Sequence, residues 1–206
     1  MSILSRRAAL GGALLIGASG LRARAALAQG ASSRVRGTVV SREGSLLTVA
    51  TRDGSHATVT LTEPLTVVAL RRVALGEIAN GSNLGVVAEP GTNDELRAIA
   101  ITVLPPGQRI REVQEPWDLG TNSSMNNGAV QAVMESRDDR LVTLSIFGHS
   151  VKVRITPQTA LVMPIPAAAA DLTAGAVVFI NATRGADGQL SANRVTVGKD
   201  GVLPPI

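Results

Sequence analysis

The chain contains one sequence pattern twice, and this internal duplication restricts the fold more than any other feature. At a constant offset of 94 positions, residues 54–103 match residues 148–197 in their apolar, glycine and turn positions. Farther upstream, Gly37 falls near Gly128 after a shift of a few residues. Chance rarely preserves one register over about 50 positions, so the sequence predicts two copies of one unit. The clearest matches join 57–62 to 151–156, 77–81 to 171–175, and 101–103 to 195–197.

Each copy alternates apolar and polar residues with a period of two. In the first copy Val59 and Leu61 alternate with threonines, and in the second Val153 and Ile155 alternate with charged residues. This alternation is typical of half-buried antiparallel strands. Glycines that tolerate positive φ lie between the strands, as in Asp53-Gly54. The predicted strands are 34–42, 45–52, 56–62, 83–89 and 95–103, then 128–136, 140–147, 150–156, 176–183 and 190–197, with helical turns at 73–80 and 167–174.

Five short strands with a helical turn after the third are typical of an OB-like barrel. Closure removes exposed sheet edges, which matters for a unit of roughly 70 residues with little core to spare. We therefore predict an all-β protein with two tandem OB-like antiparallel barrels, at 34–104 and 128–198. A linker at 105–127 joins them and a tail at 199–206 follows. A two-sheet sandwich built from both copies is the alternative.

The first 28 residues have the pattern of a cleaved export signal. Arg6 and Arg7 precede an apolar stretch at 8–21, and a small-x-small motif ends at Ala28, where cleavage is expected. The apolar stretch is too short for a good membrane helix. The paired arginines favour the twin-arginine route, which exports folded proteins. We therefore expect a bacterial protein that is periplasmic or secreted, with no transmembrane span in its mature chain.

The charge of the mature chain argues against a nucleic-acid partner. The whole chain has 20 basic and 16 acidic residues, but four arginines and no acidic residue precede position 29. The remainder is neutral and has three aromatic residues, whereas single-stranded nucleic acid is bound by aromatic platforms in a positive groove. The absence of cysteine excludes disulfides, thiolate metal sites and cysteine nucleophiles.

Several short motifs resemble an exported bacterial β-barrel family. Segments 35–40, 47–49 and 171–175 are similar to the domain of unknown function 5666. The segment 116–125 and the end 196–201 resemble a two-copy proteobacterial subgroup of that family. The resemblance implies a periplasmic two-barrel protein and no established activity. Thr121 and Asn126 depart from the residues expected in that subgroup.

The linker contains the only tryptophan, Trp117, followed by Asp118. Trp117 has two interpretations: a structural plug that covers apolar surface between the barrels with its N–H bonded, or an anchor for another protein. Asp118 fits a turn-forming role.

No residue pattern predicts chemistry. Only two histidines occur, His56 and His149, at nearly equivalent hairpin positions. They are the candidate metal ligands, but a zinc or copper site needs three or four ligands, so we predict no metal site and no cofactor. Carboxylates at Asp94-Glu95 and Asp138-Asp139 fit solvated turns, and no catalytic motif is present.

We therefore predict a non-catalytic periplasmic binding or interaction module. Its partner would be an unknown envelope protein or a small ligand. The alternative is an accessory protein that binds a metal or a small ligand, for which the paired histidines are the motivation.

Overall fold

A computed structural model describes residues 31–135 and 139–204. The predicted signal, with Arg6, Arg7 and the cleavage site after Ala28, lies outside these residues. Within them the chain forms strands and two single-turn 3-10 helices, Leu75–Glu77 and Ala169–Asp171. The strands are β1 (Ala31–Glu43), β2 (Leu46–Thr51), β3 (His56–Arg72), β4 (Asn83–Pro90), β5 (Leu96–Val103), β6 (Val113–Pro116), β7 (Ser124–Glu135), β8 (Arg140–Ile146), β9 (His149–Ile155), β10 (Ala160–Pro166), β11 (Val177–Arg184) and β12 (Leu190–Val197).

The predicted all-β class is confirmed. A 3-10 turn lies within each predicted helical turn, 73–80 and 167–174, but in the second copy β10 comes between the predicted third strand and the turn. In the described part of the chain no helix has the length and apolarity needed to cross a membrane. The two 3-10 turns are built alike, because a carboxylate caps each one: the Ala74 N–H donates to Glu77 at 3.0 Å and the Ala168 N–H donates to Asp171 at 2.8 Å.

The strand pairings differ from two barrels closed in tandem, because the two repeats exchange strands. β1, β2 and β3 of the first repeat pair in order, and β11 and β12 of the second repeat complete a closed five-stranded barrel. We call it the first barrel. β7, β8 and β9 of the second repeat close in the same way with β4 and β5 of the first, and we call this ring the second barrel.

Each barrel has its own core, to which both repeats contribute. In the first barrel Val35, Val49 and Val59 pack with Ile180 and Val195, all of them almost fully buried. The second core has the same mixed origin, with Leu84, Val86 and Ile101 from one repeat and Val142, Leu144 and Ile155 from the other. The alternation in the sequence therefore places the correct residues inside, although it does not reveal which copy supplies the neighbouring strand.

A seam of two strands joins the barrels into one twelve-stranded sheet. β3 continues past the first barrel, and Val68–Arg72 run antiparallel to Val162–Pro166 of β10. β10 also runs parallel to β5 in the second barrel. Leu70 lies opposite Pro164, its own counterpart at the offset of 94, so a pseudo-twofold axis relates the repeats at this point.

Candidate binding groove between the two barrels

The groove lies on the outer face of a sheet that runs through both barrels. Eight strands pair continuously in the order β11, β12, β3, β10, β5, β4, β7 and β6. A groove of about 400 Å³ lies across their outer face, and we call it the seam groove. Its lining consists of Val68, Leu70, Gly85, Val87, Ala100, Thr102, Leu104, Ile110, Arg111, Val113, Glu115, Trp117, Met125, Asn127, Pro164, Phe179, Asn181, Arg194, Thr196 and Pro204.

The floor of the seam groove is apolar and belongs to neither barrel core. Val68, Leu70, Val87 and Ala100 are each at most 8% exposed, yet they are absent from both barrel core clusters. Their neighbours in β3 and β5, such as Ala69 and Ile101, point into the cores instead. The alternation of each strand therefore supplies two apolar faces here, one for a core and one for the groove.

The two halves of the floor have diverged in chemistry although they are equivalent in the fold. Four matched pairs of residues line the groove. At three of them the first repeat has a small or apolar residue, whereas the second has an aromatic ring, an amide or a guanidinium. Only the threonine is kept in both. The pairs are Gly85 with Phe179, Val87 with Asn181, Ala100 with Arg194, and Thr102 with Thr196. At these matched positions the second repeat is therefore the more polar one.

The linker closes one end of the groove. β6 adds to the free edge of β7, with Val113 opposite Asn127 and Pro116 opposite Ser124. The chain then turns, and the backbone N–H of Trp117 donates to the backbone carbonyl of Ser123 at 2.7 Å. The predicted linker 105–127 thus contains a short strand that the sequence analysis missed.

Trp117 and Asp118, which we call the linker clamp, join the linker to the first barrel. The Trp117 ring packs 3.7 Å from the Arg34 guanidinium and has its centroid 6.4 Å from that of Phe179. Asp118 accepts two hydrogen bonds from Arg36, at 2.6 and 2.8 Å. Because β6 belongs to the edge of the second barrel, these contacts tie the barrels together beside the groove.

Burial and neighbouring positive charges shift the pKa of Asp118 in opposite directions. Burial raises the pKa of Asp118, but hydrogen bonds from Arg36 and the charges of Arg36 and Arg34 outweigh it. The pKa of Asp118 therefore lies below its ordinary value. The indole N–H of Trp117 is buried and has no hydrogen-bond partner among the described residues, contrary to the expectation that it would be bonded.

Two arginines of the groove have no ion-pair partner among the described residues. Arg111 and Arg194 are exposed, and neither side chain takes part in a hydrogen bond or salt bridge within 31–135 and 139–204. The one carboxylate in the lining, Glu115, lies 3.5 Å from Arg34 and is thus partly neutralised. The seam groove therefore carries uncompensated positive charge from Arg194 in β12 and from Arg111 just before β6.

The histidines are not brought together. His56 begins β3 in the first barrel, and His149 begins β9 in the second. Both are exposed, and the described residues include no group of three histidine or acidic side chains that could hold a metal ion.

Of the carboxylates noted in the sequence, Asp138 lies outside the described residues, and Asp53, Glu95 and Asp139 serve turns and ion pairs. Asp53 accepts hydrogen bonds from Thr51 and Ser55 in the turn before β3, and these lower its pKa to about 2. Glu95 and Asp139 both bind Arg154, at 2.6 and 2.9 Å. None of these carboxylates lines the seam groove.

The groove residues Arg111 and Arg194 were not among the predicted site residues. A signal for Arg194 exists in the repeat: the outward-facing Ala100 of the first copy aligns with it. For Arg111, which lies in the linker without a counterpart, the sequence offers no such signal.

Comparison with family models, curated proteins and solved structures finds no match to this chain.

Proposed function

We propose that this chain is a non-catalytic periplasmic binding module that holds a small ligand in the seam groove. The observation that carries the proposal is the groove itself, which has a volume of about 400 Å³, a buried apolar floor and polar groups in its lining. Small-molecule sites commonly have volumes of roughly 300–1,000 Å³, an apolar lining and a few polar groups that orient the ligand.

The apolar floor supports a ligand in preference to a packing role alone. Val68, Leu70, Val87 and Ala100 face away from both cores, so neither barrel core accounts for the apolar residues at these positions. Apolar side chains that line a concave surface favour the removal of water from it. A ligand with a hydrocarbon portion would cover this floor.

Other features support the remaining parts of the proposal. A closed five-stranded barrel with a helical turn after its third strand supports an OB-like fold. The leader at 1–28 and the resemblance to the domain of unknown function 5666 support twin-arginine export of a bacterial periplasmic protein. The intramolecular contacts of Trp117 and Asp118 favour a clamp between the barrels over an anchor for another protein.

The only tryptophan of the chain provides the assay, because Trp117 lines the groove. Titration with decanol is expected to change the Trp117 fluorescence saturably. Thr102→Phe places a ring in the groove and should abolish the change. Thr58→Phe, the same substitution at an exposed position of β3 outside the groove, should leave it intact. The proposal fails if neither decanol nor decanoate gives a saturable change, or if Thr102→Phe has no effect.

A further inference from the structure

We infer that the ligand of the seam groove is an amphipathic anion: a single hydrocarbon chain that ends in a carboxylate. This inference rests on the proposed function and specifies its ligand class. Its basis is the chemical difference between two halves of the groove that the fold makes equivalent.

The first step concerns the apolar half. Val87 and Ala100 come from adjacent strands of the second barrel and are directly paired, and both are buried at the groove floor. Leu70 and Val68 of β3 continue this surface across the seam. None of the four carries a polar side-chain atom, so this part of the floor offers a ligand apolar contact, as a hydrocarbon chain requires.

The second step concerns the opposite half. Arg194 occupies the position that Ala100 has in the other repeat, and Asn181 the position of Val87. Arg194 is exposed at the groove, and no acidic side chain among the described residues neutralises it. A guanidinium binds carboxylate through two parallel hydrogen bonds, so this half of the groove fits an anionic head group.

The third step concerns Arg111, which adds a second cation from the linker side. It lies in the groove lining just before β6, and it too has no acidic partner in the described parts of the chain. Glu115 is the only acid of the lining, and Arg34 already lies 3.5 Å from it. Two cations and one compensated acid give the groove a net preference for negative charge.

The test compares three ten-carbon probes at neutral pH by the fluorescence of Trp117: decanoate, decanol and decyltrimethylammonium. Decanoate is expected to bind about tenfold more tightly than decanol, the effect of a hydrogen bond between charged groups. The cationic probe should bind more weakly than decanol. The double variant Arg111→Ala/Arg194→Ala should bind decanoate only as well as decanol.

Arg72→Ala is the matched control, because Arg72 is an exposed arginine near the seam that does not line the groove. It should keep the full preference for decanoate, and circular dichroism should show that all variants are folded. Equal binding of decanoate and decanol by the wild-type chain, or an unchanged preference in the double variant, would overturn the anion assignment while the groove proposal stands. Failure of all three probes would instead refute the proposed function.

A final arm separates a free amphiphile from a membrane surface that carries the same charge. We expect that the protein does not sediment with vesicles of phosphatidylglycerol. Cosedimentation that the double variant abolishes, without binding of free decanoate, would show that the arginines recognise a lipid surface and would overturn the inference.

Discussion

Replacement of Trp117 by alanine tests whether the linker clamp holds the barrels together. The ring is half-buried, stacks on the Arg34 guanidinium at 3.7 Å and contacts Phe179. Truncation of a fully buried large aromatic residue costs about 3–5 kcal/mol, so half-burial corresponds to about 2 kcal/mol. Loss of the cation–π contact adds about 0.5–1 kcal/mol.

The expected loss of about 2–3 kcal/mol corresponds to a decrease in Tm of roughly 5–10 °C for a chain of this size. Circular dichroism or calorimetry should measure it, because the variant has no tryptophan left to report by fluorescence. Met134→Ala is the control, since Met134 is 65% exposed and its truncation should change stability by no more than about 0.5 kcal/mol. A Tm of Trp117→Ala equal to that of the control would refute the clamp and return Trp117 to the role of an anchor for another protein.

Two further predictions concern charge and backbone packing. Because the pKa of Asp118 lies below its ordinary value, its pairing with Arg36 stabilises the fold at neutral pH, and this stabilisation is lost as the pH falls below about 4 through the folded pKa. Asp118→Asn should therefore lower the Tm more at pH 7 than at pH 2, and an equal decrease at both pH values would contradict this. Gly37→Ala and Gly128→Ala should each destabilise by about 1–3 kcal/mol, because a Cβ at either position would collide with the carbonyl of a paired strand. Gly76→Ala, where a Cβ meets no neighbour, is the control, and equal Tm values for all three variants would show that these close approaches do not exist.

Local patterns of the sequence were sufficient for the individual strands. Alternation at 57–61 and 151–155 correctly indicated β3 and β9, and glycines such as Gly54 and Gly188 adopt the predicted positive φ. These features depend on neighbouring residues only, so a single sequence contains the information.

Two strands were missed for identifiable reasons. β10 contains Pro164 and Pro166, and because proline cannot donate to a ladder, its sequence is not typical of a strand. β6 has only four residues and ends at Pro116, so its alternation is too short to recognise.

The exchange of strands between repeats could not be predicted from alternation. Closure within a repeat and closure between repeats bury the same side chains, because the two copies share one pattern. The two kinds of closure differ in the course of β3 after the first barrel. Its residues Val68–Arg72 pair with β10, and the chain therefore reaches the second barrel before β4 begins. The seam groove follows from this crossing, so the repeat shows Arg194 only as a departure from Ala100 and could not place it or Arg111 in a groove.

The proposed binding site depends on strand exchange, because the groove floor is built from strands that cross between the barrels. The chain has no cysteine, so a designed disulfide tests the exchange directly. Ser32 lies opposite Thr183 in the pairing of β1 with β11, and directly opposed antiparallel residues have Cα separations of about 4.5–5.5 Å, suitable for a disulfide. In barrels closed within each repeat, the residue opposite Ser32 would instead be Glu89, the counterpart of Thr183. Under mild oxidation, Ser32→Cys/Thr183→Cys should form an intramolecular disulfide and Ser32→Cys/Glu89→Cys should retain two free thiols; the reverse result would contradict the exchange and remove the basis for the seam groove.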